Sequence, residues 1–231
     1  MKNRHRLAVV LLVMIIVIII QCGKTTGDDY VGKPFSDAVY QAGSQKIPGR
    51  IQCEYYDCGG EGIAYHDSDS TNSGSGDLNP SDGSYLNEFR KNEGVDISYT
   101  KIDKREIDNN PYNIVEPEKN QFYVGWTEPG EWTKYTVTVQ QSGVYRIGMM
   151  YTSNRGGKIS LAVDGREVTG PVDITTTFVQ DDTITWRQWH HWNYSNPIAE
   201  IGLEKGLHVL TLATVAEGNM NYDFLEFVLK N

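Results

Sequence analysis

The sequence predicts an all-β fold, an antiparallel β-sandwich or jelly roll. From residue 121 onward, β-branched and aromatic residues alternate with polar residues at a period of two, as in the segment WTKYTVTV at Trp132–Val139. Turn signals such as QSG at 141–143 and VDG at 163–165 separate these segments at a spacing of roughly ten residues. This half of the chain contains no long segment of helical periodicity, so a helical bundle is excluded.

Four strands stand out in this half of the chain. They are predicted over Trp132–Val139, Val144–Tyr151, Ile159–Val163 and His208–Ala213. The alternation in the first of them places Trp132 and Thr133 on opposite faces but does not decide which face is inside. We expect Trp132 to fill the core.

The first 21 residues are typical of a signal peptide. Residues 7–20 form an unbroken apolar run of 14 residues behind a basic flank, which is shorter than the roughly 20 residues of a membrane-spanning helix. Cys22 follows directly, and the segment from Ile19 to Cys22 resembles a bacterial lipoprotein signal, although Gln21 stands where a small residue is usual. We expect lipidation at Cys22; an ordinary signal peptide or uncleaved anchor with an incidental cysteine is the alternative.

Residues 22–46 are expected to be a linker that begins with an acidic pair, Asp28 and Asp29. This pair resembles the acidic tether that directs lipoproteins to the cell surface, although a solvated linker has the same pattern. We therefore expect an exported outer-membrane lipoprotein, exposed at the cell surface and attached to the membrane only through Cys22. The formal net charge of −9 argues against nucleic acid or an anionic membrane surface as a partner.

The predicted β-sandwich covers residues 47–231 and carries polar or charged insertions near 66–92 and 100–118. The aspartates of the first insertion do not match a calcium-loop spacing, so we expect a solvated loop; a loop that walls the cleft is the alternative. Cys53 and Cys58 are separated by four residues, and the sequence leaves open whether they form a disulfide or whether Cys53 is a small core residue on a strand.

Six segments occur in an order that resembles carbohydrate-binding module family 6. They are IPGRIQCEYYDCGGEGIAY at 47–65, GVDI at 94–97, VGW to YTV at 124–137, GGKISLAVDG at 156–165, and the closing LEKGLHVLTL and NYDFLEF segments. The resemblance implies a β-jelly roll whose loop-end cleft holds a sugar between two aromatic rings.

The family pattern assigns the cleft residues to positions in this sequence. Trp126 is the first stacking aromatic, and Trp186 best matches the second, with Trp189 and Trp192 of the same loop as competitors. The cleft asparagine that bonds sugar hydroxyls falls on Asn221, with Asn219 as the fallback. Independently of the family, flat indole rings suit the apolar face of a pyranose, and a planar amide suits its hydroxyl rim.

The same resemblance implies a structural calcium ion near the first and last strands. The matching oxygen donors are Glu54 and Asp223, and Gln52 stands where a glutamate is common. Calcium prefers several hard oxygen ligands, which this set and backbone carbonyls would supply. Solvated or paired carboxylates on each strand are the alternative interpretation.

The sequence favours non-catalytic glycan binding. Glu128 and Glu131 occupy a Pro-Gly turn where carboxylates are usually solvated, and no nucleophile, zinc or phosphate-loop motif occurs. Adjacent His190 and His191 are expected to bond sugar or solvent. The alternatives are a surface adhesion lipoprotein that contacts proteins such as glycan-degrading enzymes, and a small glycan-active enzyme. The identity of the glycan does not follow from the sequence.

Overall fold

Thirteen strands and one short helix are formed by residues 30–103 and 107–230, the part of the chain that the computed structural model describes. The strands are β1 (Gln45–Ile47), β2 (Gly49–Gln52), β3 (Tyr65–His66), β4 (Ile97–Tyr99), β5 (Phe122–Val124), β6 (Trp132–Val139), β7 (Gly143–Ser153), β8 (Gly157–Val163), β9 (Arg166–Glu167), β10 (Val172–Ile174), β11 (Asn193–Leu203), β12 (Gly206–Ala216) and β13 (Met220–Leu229). The helix α1 is Tyr85–Glu88. All four predicted strands are present, three of them longer than predicted.

The strands form two sheets. In the first sheet the order is β1-β6-β12-β8-β10, with β3 on β6 and β9 on β8. In the second sheet the order is β11-β7-β13-β5-β4, with β2 on β13. Only the β1–β6 pairing is parallel among the pairings of the described strands. The predicted all-β sandwich is confirmed.

The main core lies between the sheets. On β6 the residues that face it are Tyr135 and Val137, and from β13 Leu225 and Phe227 join the same buried cluster. Trp132 lies on the opposite face of β6, only partly buried, where the Lys134 ammonium is 4.6 Å from its ring centroid. The expectation that Trp132 fills the core is therefore wrong, because the alternation places the smaller Thr133 inward.

The sandwich begins before residue 47. Phe35, in the predicted linker, is buried and stacks on Tyr55 with ring centroids 5.4 Å apart. Cys53 lies in a short 3-10 turn, Cys53–Tyr55, rather than on a strand, and both Cys53 and Cys58 are free thiols. The signal segment 1–21, Cys22 and the acidic pair lie outside the described residues. Within 30–103 and 107–230, no helix is long and apolar enough to cross a membrane.

The first insertion is fixed to β4 by one buried amide. Asn72 Oδ1 accepts hydrogen bonds from the backbone N–H groups of Gly74, Ser75 and Ile97, at 2.8 to 3.1 Å. Gly74 permits this contact, because a Cβ there would lie 1.9 Å from the Ile97 carbonyl oxygen. The loop 66–79 is therefore an ordered wall beside the sandwich.

The second insertion covers the outer face of the second sheet. A small apolar cluster forms there from Tyr123, Met150, Trp192 and Phe224, and Val115 of the insertion packs against it. This insertion therefore carries its own minor core on the side of the sheet away from the main core.

Candidate functional site

A cleft of about 550 Å³ opens at the loop end of the sandwich, and we call it the Trp126 cleft. It is formed by the first insertion, the β5–β6 loop and the turn between β12 and β13. The residues that line it are Asp67, Ser68, Asp69, Ser73, Asp77, Leu78, Asp96, Trp126, Glu128, Glu131 and Asn219. Two predicted binding residues, Trp126 and Asn219, thus lie in one cavity, and the first insertion forms its wall.

The backbone presents the Trp126 ring in an unusual conformation. Trp126 has a φ of 47°, a left-handed value that is rare for a bulky residue. Its N–H donates to Asn221 Oδ1 at 3.1 Å, and the preceding Gly125 N–H donates to the Asp96 carbonyl at 2.9 Å. These bonds hold the partly buried indole at the cleft.

The rest of the cleft is strongly acidic. Burial, followed by the charges of Glu131 and Asp96, raises the pKa of Asp67 to about 7. Burial, with the charges of Asp69 and Glu131, raises the pKa of Asp96 to about 6. Carboxylates accept hydrogen bonds from sugar hydroxyls, so this lining suits a polyhydroxylated ligand.

Trp186 is 64% exposed and lies on a 3-10 turn, Thr185–Arg187, within the long loop before β11. The loop is held by Asp182, which accepts from Arg187 Nε at 2.7 Å and lies 2.9 Å from His191 Nε2. The Arg187 hydrogen bond lowers the pKa of Asp182 below its usual range. Trp186 is not among the residues that line the Trp126 cleft, so that cavity does not bring the two predicted rings together.

The competitors of Trp186 are placed differently. Trp189 is partly buried, and its ring lies edge-on to His190 at 5.9 Å. Trp192 has no exposed surface and donates from its indole Nε1 to Asp108 Oδ1 at 2.6 Å. A ring buried in the minor core cannot offer a face to a sugar, so Trp192 is corrected from a candidate platform to a core residue.

The asparagine that lines the cleft is Asn219, the fallback candidate, and not Asn221, which the family pattern favours. Asn221 is buried, and its amide is engaged by Trp126, by Thr152 Oγ1 at 2.8 Å and by His190 Nδ1 at 3.0 Å. Asn219 is exposed at the cleft with a φ of 48°. The buried Asn221 therefore supports the cleft from behind, whereas Asn219 faces it.

The predicted calcium donors meet between β2 and β13. Glu54 Oε2 and Asp223 Oδ1 are both buried without a hydrogen-bond partner. Burial, followed by the nearby Asp223 charge, raises the pKa of Glu54 well above its usual range, and burial likewise raises the pKa of Asp223. The Gln121 amide nitrogen lies 3.2 Å from Gln52 Oε1 and 3.1 Å from Glu54 Oε1.

Two buried carboxylates, each with one oxygen that lacks a partner, are costly without a compensating charge, and a hard cation would supply it. Within residues 30–103 and 107–230, no group of three or more His, Cys, Asp or Glu side chains is arranged to hold a metal. A calcium ion here would therefore also need the Gln52 amide oxygen and backbone carbonyls. The residues present fit that requirement.

A buried histidine network was not predicted from the sequence. His190 Nε2 lies 2.8 Å from Asp108 Oδ1, and both side chains are almost entirely buried. The expectation that His190 and His191 bond sugar or solvent is thus wrong. Asp108 is 82 residues away in the chain, so only the acidic composition of the second insertion could have suggested a partner.

Comparisons with known structures give low-identity matches to sugar-binding modules. A β-1,3-glucan-binding family 6 module from Bacillus halodurans is 16% identical, with 80% of this chain and 98% of that chain covered and a TM-score of 0.45. A module of the Cellvibrio mixtus lichenase 5A, solved with cellotriose, is 21% identical, with 48% and 79% covered and a TM-score of 0.36. No curated protein matches the sequence.

The family model for carbohydrate binding module family 6 matches residues 88–230, which is more than half of the chain. The matched segment contains Trp126, Trp186, Asn219 and Asn221, whereas most of the first insertion precedes it. Family 6 modules bind carbohydrate without catalysing a reaction. The chain therefore belongs to carbohydrate binding module family 6, and its function is carbohydrate binding.

Proposed function

We propose that this protein holds a glycan in the Trp126 cleft, with a sugar ring stacked on Trp126 and its hydroxyls bonded by Asn219 and the surrounding carboxylates. The observation that carries the proposal is that Trp126 and Asn219 line one cavity of about 550 Å³ at the loop end. An indole face buries the C–H surface of a pyranose, while the acceptors around it replace water at the hydroxyls.

Trp126→Ala tests this proposal. With a Kd on the order of 0.01–1 mM for a module that relies on a few rings, we expect the loss of the platform to weaken binding at least about tenfold. The measurement is a calorimetric titration against a panel of neutral polysaccharides and oligosaccharides, with folding checked by circular dichroism.

Trp186→Ala is the matched variant, since it removes an equally large ring outside the Trp126 cleft. Unchanged binding would assign the sugar to the Trp126 cleft alone. Loss in both variants would indicate that the two rings hold the ligand jointly. Full binding by Trp126→Ala would contradict the proposal.

We also propose a structural calcium ion bound by Glu54, Asp223 and Gln52. The support is the pair of buried carboxylate oxygens without partners. When bound, the ion would neutralise these charges and tie β2 to β13, and thermal unfolding with and without calcium tests this role.

Attachment to the outer membrane through a lipid on Cys22, with exposure at the cell surface, is a further proposal. Its support is the basic and apolar sequence before Cys22. Incorporation of labelled fatty acid that disappears in Cys22→Ser would be the expected result, and equal labelling of the variant would refute it.

A further inference from the structure

A continuous set of hydrogen bonds joins Trp126 to the second insertion. The Trp126 N–H donates to Asn221 Oδ1 at 3.1 Å, and Asn221 Nδ2 lies 2.8 Å from Thr152 Oγ1 and 3.0 Å from His190 Nδ1. His190 Nε2 in turn lies 2.8 Å from Asp108 Oδ1. The four residues Asn221, Thr152, His190 and Asp108 are each at most 5% exposed, so water does not compete for these bonds.

The backbone donor at Trp126 determines the direction of every bond in the set. Because an N–H group can only donate, the oxygen of the Asn221 amide must face Trp126 and its NH₂ group must face His190. His190 Nδ1 must then accept, which leaves the imidazole neutral with its hydrogen on Nε2. That hydrogen is donated to the Asp108 carboxylate.

A proton on His190 Nδ1 would place two donors against each other. The conflict is relieved by rotation of the Asn221 amide, which turns its oxygen towards His190 and its NH₂ towards the Trp126 N–H. Trp126 would then lose its acceptor while its backbone keeps a φ of 47°. A bulky residue persists in that region only when its surroundings hold it there.

Two ionisable side chains, Asp108 and Tyr123, face His190. Burial raises the pKa of Asp108, but its interaction with His190 and its hydrogen bonds from the Lys101 backbone and Trp192 lower that pKa below the usual value. The Tyr123 ring lies 5.8 Å from His190, and burial together with the Asp108 charge raises the pKa of its phenol. Trp189 and Trp192 contribute uncharged rings, and the His190 N–H donates to the Arg187 carbonyl.

We infer that His190 is a positioning residue for Trp126: the neutral imidazole fixes Asn221 so that it holds the Trp126 backbone, and the imidazolium releases it. The inference rests on the proposed function in that Trp126 is taken as the sugar platform. Glycan binding would then weaken in acid through a buried residue that does not touch the ligand.

The test follows the Trp126 amide signal in ¹H–¹⁵N spectra of the full chain in mild detergent, between pH 8 and pH 5. In the wild-type protein we expect the Trp126 signal to differ between the two ends of this pH range. His190→Gln keeps an acceptor and a donor but does not titrate, so its signal should stay near the wild-type high-pH position. His190→Leu should displace the signal at every pH.

His208→Leu is the matched control. His208 Nδ1 lies 2.7 Å from Asp164 Oδ2, but the residue is on β12 and outside the Trp126 cleft. This variant should show the wild-type titration at Trp126. Asp67 and Asp96 also titrate near the cleft, but all these variants retain both, so the difference between wild type and His190→Gln isolates the imidazole.

Binding of laminarihexaose, a neutral glucan oligosaccharide, gives the functional readout. We expect the wild-type affinity to fall at least about fivefold more than that of His190→Gln between pH 7.5 and pH 5. A Trp126 signal that titrates equally in both proteins, or is unmoved in His190→Leu, would overturn the inference. Failure of laminarihexaose to bind the wild type would show only that this glucan is not a ligand, and the Trp126 amide signal would then decide the role of His190.

Discussion

At the scale of single residues, the site depends on backbone geometry as much as on ring chemistry. Trp126 follows Gly125, and a Cβ on Gly125 would lie 3.1 Å from Asn221 Oδ1 and 3.3 Å from the Tyr123 ring. The small residue thus lets the strand end approach the buried amide that accepts the Trp126 N–H. This requirement explains why the residue before the platform carries no side chain.

Gly125→Ala should therefore weaken both folding and binding. Because the added methyl group displaces the Asn221 amide, we expect the free energy of unfolding to fall by about 1–2 kcal/mol. Glycan affinity should fall as well, since Trp126 loses its fixed orientation. Urea unfolding and calorimetric titration measure the two effects.

Gly202→Ala on β11 is the comparison for this change. A Cβ at Gly202 meets nothing within 4 Å, so its effect on unfolding should stay within about 0.5 kcal/mol. If the two alanine variants lost the same free energy of unfolding, close packing at Gly125 would not be the cause of the loss in Gly125→Ala.

At the scale of elements, hydrogen bonds join β2 to β13, and two buried carboxylates of like charge, Glu54 and Asp223, lie beside this pairing. Phe224 pairs with Gln52, so the strand register places the predicted calcium ligands from the start and the end of the domain side by side. Without a cation, Glu54 and Asp223 oppose the pairing of these strands. With a cation, the same residues would hold them together.

Calcium should raise the thermal stability of the wild-type protein. A ligand at about 100 times its Kd adds about 2.7 kcal/mol to the free energy of unfolding, which for a chain of this size corresponds to a rise in Tm of roughly 5–10 °C. The double variant Glu54→Gln, Asp223→Asn should not respond to calcium.

In the presence of a chelator, the same double variant should be more stable than the wild type, because it no longer buries two carboxyl groups of like charge. A calcium response that survived in the double variant would place the ion elsewhere. Scanning calorimetry with calcium and with chelator distinguishes these results.

The elements also show how far the sequence can predict the molecule. Period-two alternation is a local property, so the strands from Trp132 onward could be predicted directly. Trp126, which the family motifs singled out, lines a cavity, and its role in binding stays a prediction. By contrast, Trp186 and Trp192 lie in the same polar stretch of sequence, yet Trp186 is exposed and Trp192 is buried. Their burial differs because the second insertion, which is remote in sequence, packs against Trp192.

At the scale of the whole molecule, the charge of the cleft and the charge of the chain have the same sign. The net charge is −9, and the residues lining the Trp126 cleft include six carboxylates and no lysine or arginine. Anionic glycans therefore meet an unfavourable potential both at long range and inside the cleft. A neutral glycan avoids this cost.

A neutral polysaccharide that the protein binds should be bound more tightly than its carboxymethylated derivative, by about tenfold or more at pH 7.5 and low salt. The pKa of Asp67 is about 7 and that of Asp96 about 6. Both groups lose charge as the pH falls through these values, so the preference for the neutral polymer should shrink at pH 5.

Asp67→Asn combined with Asp96→Asn should reduce the preference at pH 7.5 and flatten its pH dependence. Affinity electrophoresis in gels that contain either polymer measures the ratio. Equal retardation by the two polymers at pH 7.5 would show that the acidic lining does not select the ligand.

The parallel pairing of β1 with β6 has a mechanical consequence. β1 contacts Val137–Val139 at one end of β6, whereas Glu131 of the cleft precedes the other end, so an eight-residue strand of about 25 Å separates them. Tension applied from the N-terminal side of the domain would first load the Lys33–Cys58 bridge and the packing of Phe35, and then the three residues of β1 at the sheet edge. β1 could detach under that load without displacing Trp126, the hydrogen bonds of Asn221 or the acidic residues that line the Trp126 cleft.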